Sequence, residues 1–202
     1  MSKYLGPRHK LCRRLGSCLW GDPTCPSLKR PYAAGQHGQT VRRKMSVYGQ
    51  QLLVKQRIRM HYGLQERQMR KTFAEAQQMG GVTGTNLLMK LESRIDCIVY
   101  RLGFAPTIMS ARQLVVHGHI QVNGKAVDKP SFQVKPGMVL TIRERSRKIP
   151  MIADGAENPP AALPEYLERA PRSFEGKMTM TPNLDTIPCK SEMAGVIGFY
   201  SR

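Results

Sequence analysis

"ARQLVVHGHIQVNGKAV", residues 111–127, places a change of hydrophobic period inside seventeen residues. Leu114 and Val115 fit the inward face of a short helix with Ser110 as its N-cap, and Gly118 sits where such a helix stops. Beyond it Ile120 and Val122 alternate at period two and run into Asn123-Gly124, a dipeptide suited to the positive φ angles of a tight hairpin turn. The spacing therefore predicts a helix, a turn and a strand in succession. Arg112, Gln113, His117, His119, Asn123 and Lys125 are left outward along one edge. A guanidinium, amides, imidazoles and an ammonium on rigid elements are suited to phosphate and 2′-hydroxyl contacts.

Upstream, Leu88, Leu91, Ile95, Ile98, Val99 and Leu102 recur at helical spacing, which predicts one helix capped at Thr85 or Asn86 and ended by Gly103. Downstream, Val127 opens an extended piece. Pro136-Gly137 marks a turn, and Met138, Leu140 and Ile142 alternate as a last strand. The fold class that follows is α+β. It comprises a mainly helical N-terminal domain with an extended basic arm, and a small module of two helices packed on a short curled sheet. The boundaries fall at 1–83, 84–150 and 151–202. The last segment opens on the Pro/Ala-rich "ADGAENPPAALPEY", and its apolar end, "GVIGFYSR", is expected to dock back on the protein. In the first part, Ser46 caps a helix running to about Tyr62. A second helix spans about Gln65–Met79, with Met69, Phe73 and Ala76 on one face.

Charge narrows the partners. The 202 residues carry a formal net charge of +18, a field suited to a polyanion. It is concentrated forward: residues 1–73 net +14, residues 74–148 net +6 and residues 149–202 net −2. The clusters Arg13-Arg14, Lys29-Arg30, Arg42-Arg43-Lys44 and Lys55/Arg57/Arg59 alternate with Trp20, Tyr32, His37 and Tyr48, which can stack on bases or pack beneath the arm. Arms of this kind fit irregular folded RNA better than duplex DNA, and no recognition-helix or zipper pattern is present. No run of about 18 apolar residues occurs, so no membrane span is expected.

Candidate metal and catalytic groups are few. His117-x-His119 can reach one ion, but no Cys, Asp or Glu lies nearby before Asp128, and tetrahedral sites need three or four ligands. His9, Cys12, Cys18 and Cys25 form the other candidate, for zinc. His9-x-x-Cys12 has half-knuckle spacing, but six residues separate Cys18 from Cys25 where two to four are usual. No cofactor is therefore expected. Cys97 and Cys189 lie apart from this group. Arg94-Ile95-Asp96 resembles the Arg-Leu-Asp around the catalytic aspartate of pseudouridine synthases, but Ile95 lies on an apolar helical stripe and no Thr/Ser-Gly follows. With no phosphate loop and no nucleophile elbow, no enzyme and no small-molecule substrate are expected.

"LLMKLESRIDCIVYRLGFAPTIMSARQLVVHGHIQVNGKAVDKPSF" resembles the RNA-binding module of the S4 family of small-subunit ribosomal proteins. The resemblance extends to "KYLGPRHKLCRRLG", "RPYAAGQHGQ", "KQRIRMHYGLQERQMRK" and the terminal "FYSR", and so to essentially the whole chain. It implies a structural constituent of the small subunit in the cytoplasm, bacterial by default or organellar, that binds rRNA early, nucleates the subunit body, touches neighbouring proteins and influences decoding accuracy. Its own mRNA is a further partner in members that repress their own operon. The residues it marks for rRNA contact are Arg13, Arg14, Gln36, His37, Lys55, Arg57, Arg112, Gln113, His117, His119, Asn123 and Lys125. Some members carry four zinc-binding cysteines in the arm; here His9 replaces one and the downstream spacing is shorter. Gly198 also stands where an acidic residue usually precedes the terminal aromatic pair. The alternatives are a pseudouridine synthase-like RNA-modifying enzyme and a ribosome-associated stress factor, both of which use the same module.

Overall fold

A computed structural model describes residues 6–20, 22–40, 44–158, 163–182 and 193–201. Arg42, Arg43 and Cys189 lie outside the described residues. The chain forms two compact units, residues 1–66 with 191–202, and residues 67–190. The expected boundaries at 83 and 150 do not coincide with these units: the first division falls at 66/67, and the C-terminal 52 residues are shared between the two.

The first unit begins with α1 (Arg8–Leu15) and α2 (Pro26–Lys29). The arm, expected to be extended, thus contains helical turns. They enclose a small core of Cys12, Leu15, Leu19 and Cys25, with Trp20 and Leu53 packed against it. The 15-residue α3 (Val47–His61) is capped at Ser46, whose Oγ accepts from the Gly49 N–H. The C-terminal α9 (Met193–Tyr200) lies along α3. A β-carbon at Gly195 would sit 3.0 Å from Val54, the tilted Tyr48 and Phe199 rings lie 5.6 Å apart by centroid, and the Tyr200 hydroxyl donates to Glu66 Oε1. The apolar tail docks here, burying Met193 and Val196.

The second unit holds α4 (Glu66–Gln78, apart from its first residue), α5 (Thr83–Glu92), α6 (Ile95–Arg101) and α7 (Ile108–Val116). The single helix expected from 85 to 102 is two. The backbone leaves the helical ladder at Ser93-Arg94 to bond elsewhere: Val134 N–H donates to Ser93 O, Ile95 N–H donates to Phe132 O, and Arg94 bridges Gln133. Asn86 spans the α4–α5 turn, its amide donating to Ala76, Met79 and Gly80 carbonyls. Helix α7 begins two residues before Ser110. Thr107 is its N-cap, and Ser110 closes a capping box, each hydroxyl accepting the other's backbone N–H.

One antiparallel sheet backs these helices in the order β2-β1-β3-β5-β4, from β1 (Ile120–Val122), β2 (Lys125–Ala126), β3 (Val139–Ile142), β4 (Leu167–Glu168) and β5 (Glu175–Met178). Strands β1 and β2 pair Val122 with Lys125 across the two-residue turn Asn123-Gly124, at φ +48° and +79°. The segment after 150 supplies α8 (Pro150–Glu157) and two strands of this sheet. It completes the core of Ile98, Leu102, Leu114, Ile120, Leu140 and Tyr166. Strand β5 escaped the sequence pattern because one of its two inward positions is glycine: a β-carbon at Gly176 would lie 2.6 Å from Leu102. The α+β class stands, with a larger sheet than expected.

Candidate nucleic-acid interface

The corner at 111–127 is rigid because both of its sides are anchored. Ala111, Leu114 and Val115 bury the inner face of α7, Ile120 and Val122 bury that of β1, and β1 pairs with β2 and β3. At the helix end, His117 N–H donates to Gln113 O and His119 N–H to Leu114 O, and Gly118 takes φ +70°. Gln113, His117 and Lys125 are exposed. The two imidazoles lie 5.9 Å apart by ring centroid. His119 is half-buried, with Nδ1 2.8 Å from Ser146 Oγ. Burial, aided by the neighbouring His117 and the Arg143 charge, lowers its pKa from the usual 6.5. Ser146 occupies Nδ1, which leaves Nε2 for a partner.

Other expected contacts are committed to the protein. Arg112 is turned toward α6, where its Nη2 and Nε lie 2.7 and 3.0 Å from Asp96 Oδ2. Asp96 is fully buried and also takes two bonds from Arg94 and one from the Cys97 N–H. A buried carboxylate needs such partners, and this need fixes the arginine's direction. Asn123 faces solvent, but its Oδ1 accepts from the Val139 N–H at 2.9 Å. Lys55 is buried, pairing with Glu66 at 2.8 Å beneath the Phe199 ring. Burial opposes ionisation of Glu66, but the bonds from Lys55 and Tyr200 outweigh it and bring its pKa below 4.5. Arg57 donates to Leu15 O, while Arg13 donates to Tyr32 and Ala33 carbonyls and lies over the Tyr32 ring. Arg14, Gln36 and His37 are exposed.

The arm also holds the three-thiol grouping. Cys12, Cys18 and Cys25 bring their Sγ atoms within 4.8 Å of one another, and His9 Nδ1 lies 3.6 Å from Cys25 Sγ. Sequence spacing argued against this assembly; the turn after α1 and the start of α2 close it. Burial works to raise the Cys25 pKa, but hydrogen bonds from Ser27, His9 and Cys18 outweigh it and bring it to about 6. Burial holds Cys12 up at about 11. A thiolate beside further thiols and an imidazole nitrogen is a donor set that fits tetrahedral zinc.

A second buried knot joins the late strands to the helices. The fully buried Glu92 carboxylate accepts from Arg101, the Cys97 thiol and the Tyr166 hydroxyl, the last at 3.0 Å. Sequence gave no hint of it, because its members lie up to 74 residues apart.

Helices capped onto a small antiparallel sheet, with amide, imidazole and ammonium groups along an outward corner, have the build of a small nucleic-acid-binding module. A family model described as the ribosomal protein S4/S9 N-terminal domain matches residues 3–92, and one described as the S4 domain matches residues 93–140. The chain is 48% identical to the small ribosomal subunit protein uS4 of Brevibacillus brevis over 202 residues, with full coverage of both chains. It is 48% identical over 203 residues to that of Geobacillus stearothermophilus and 44% identical over 208 to that of Thermoanaerobacter pseudethanolicus, again with full coverage. The chain belongs to the uS4 family of small ribosomal subunit proteins.

Proposed function

We propose that this chain is a non-catalytic constituent of the small ribosomal subunit that binds rRNA directly. It nucleates the subunit body, contacts neighbouring ribosomal proteins and contributes to decoding accuracy, and it works in the ribosome of a bacterial-type cytoplasm. The observation that carries the reading is the edge of exposed Gln113, His117 and Lys125 with half-buried His119 on an anchored corner, supported in the first unit by exposed Arg14, Gln36 and His37. Full-length likeness to proteins named for the small subunit supports the same assignment. Asp96, the residue an RNA-modifying enzyme of the pseudouridine synthase type would use, is sealed between two arginines with no exposure, which disfavours that alternative. Binding of its own mRNA would use the same edge.

Sedimentation through a high-salt gradient tests the reading. The chain should remain with small subunits, whereas release into the top fractions would favour a loosely held stress factor. Affinity for an rRNA transcript should fall by orders of magnitude between low and moderate salt if six to ten phosphates are contacted.

For the arm, the thiolates of Cys12, Cys18 and Cys25 with His9 Nδ1 would hold one zinc ion. When bound, zinc supplies a cross-link for a core too small to fold by burial alone. One zinc per purified chain by elemental analysis, lost in Cys12→Ser and Cys25→Ser, is the expected result; zinc-free protein whose thiols react equally fast with and without added zinc would exclude it.

A further inference from the structure

The turn after β3 reads Arg143-Glu144-Arg145-Ser146-Arg147-Lys148, four cations and one acid in six residues. It lies beyond the S4-domain match, which ends at residue 140. A single 3-10 turn, Glu144–Ser146, holds it against the corner. Arg143 N–H donates to His119 O at 3.0 Å, and the buried Ser146 hydroxyl meets His119 Nδ1 at 2.8 Å. Arg147 is taken up by packing, its Nε on Ile142 O and its guanidinium 5.3 Å from the Phe174 ring centroid. Arg145 and Lys148 are exposed and Arg143 is half-buried, and no hydrogen bond or ion pair occupies these three side chains among the described residues. Arg143 also lies close enough for its charge to act on His119. Exposed Glu144 is the acid beside them. It cannot neutralise three cations, so a net positive ridge stands next to the imidazole.

We propose that the 143–148 turn is a second phosphate-binding arm of the RNA edge. Arg143, Arg145 and Lys148 take RNA phosphates beside the helix-hairpin corner, and Ser146 is the positioning residue that aims His119. This rests on the rRNA reading above. Guanidinium groups donate two N–H bonds to phosphate oxygens in a bidentate manner, and an ammonium adds a point charge. A Ser146 hydroxyl donating to Nδ1 selects the tautomer with hydrogen on Nε2, which makes the outward nitrogen a donor to phosphate or a 2′-hydroxyl. The corner alone presents one ammonium, from Lys125; the turn supplies the charge that its amides and imidazoles lack.

The test measures the affinity of the full chain for a small-subunit rRNA transcript across a salt series. Each phosphate contact contributes roughly 0.7–0.9 to the slope of log affinity against log salt, so R143A/R145A/K148A should flatten that slope by about 2 to 3. R143K/R145K should restore most of it. Arg147→Ala should lower the Tm without changing the slope. Ser146→Ala should weaken binding as His119→Ala does, and the double variant should bind no worse than His119→Ala. A triple variant that melts like the parent and keeps the parent's slope overturns the arm while leaving the rRNA reading intact. A parent chain whose binding is insensitive to salt overturns both. Additive losses from Ser146→Ala and His119→Ala remove the positioning role.

Discussion

Replacing Arg112 by alanine separates a structural arginine from an RNA-binding one. Asp96 has no exposed surface, and its two oxygens take two bonds each from Arg94 and Arg112 plus one from the Cys97 N–H. The Arg112 side chain retains 17% of its exposure, against 6% for Arg94. Breaking a buried pair by removing one partner costs about 3–5 kcal/mol because the survivor is left uncompensated. Arg112→Ala leaves the carboxylate still gripped at both oxygens by Arg94, so the expected loss is smaller, about 2–3 kcal/mol. Asp96→Asn strands two guanidinium groups and should cost the full 3–5 kcal/mol. For a chain of this size each kcal/mol moves Tm by roughly 2–4 °C, so Arg112→Ala should melt about 4–12 °C lower. The assay pairs a circular-dichroism melt with rRNA binding over a salt series at a temperature where both proteins are folded. The salt slope should stay at the parent value. An Arg112→Ala protein that melts normally and loses about one unit of slope would refute the assignment, because that is the signature of a lost phosphate contact.

Three further outcomes follow from the same geometry. Gly176→Val must push a β-carbon into Leu102, 2.6–2.7 Å away and fully buried, and should destabilise the second unit by about 1–3 kcal/mol in urea; undiminished stability would show that the sheet does not approach α6 this closely. Asn123→Ala loses the acceptor for Val139 N–H and places alanine at φ +48°, so a loss of about 1–2 kcal/mol is expected, and Asn123→Gly should recover part of it. Glu66→Gln should melt below the parent at pH 7, with the gap closing as pH falls. The folded pKa of Glu66 lies below 4.5, so its pairing with Lys55 is fully present above that value and is lost as the pH drops through the lower folded one. A gap that does not change with pH would dismiss the ion pair as its source.

Local chemistry was legible wherever one residue decides one backbone state. Ser46 placed the start of α3, Asn123-Gly124 placed the hairpin, and Gly118 placed the turn between α7 and β1. The outward edge was legible in part, since an amphipathic pattern says which side of an element faces away from the core. It does not say whether a charged side chain on that side meets water or a buried acid. Arg112 and Lys55 both have the spacing of surface cations, yet each is drawn onto a carboxylate contributed by another helix.

The sequence by itself determined the family, the basic field and the helix-to-strand switch at 111–127, because these depend on composition, motif order and neighbours within a few residues. Tertiary structure alone decided the break at Ser93-Arg94, where backbone groups bond to residues 132–134, and the placement of β5 between β3 and β4. It also decided the meeting of the thiols in the arm. The physical reason is common to all three. A buried backbone amide, carboxylate or thiol must find its partner wherever the fold brings one, and the distance along the chain that separates them leaves no periodic trace.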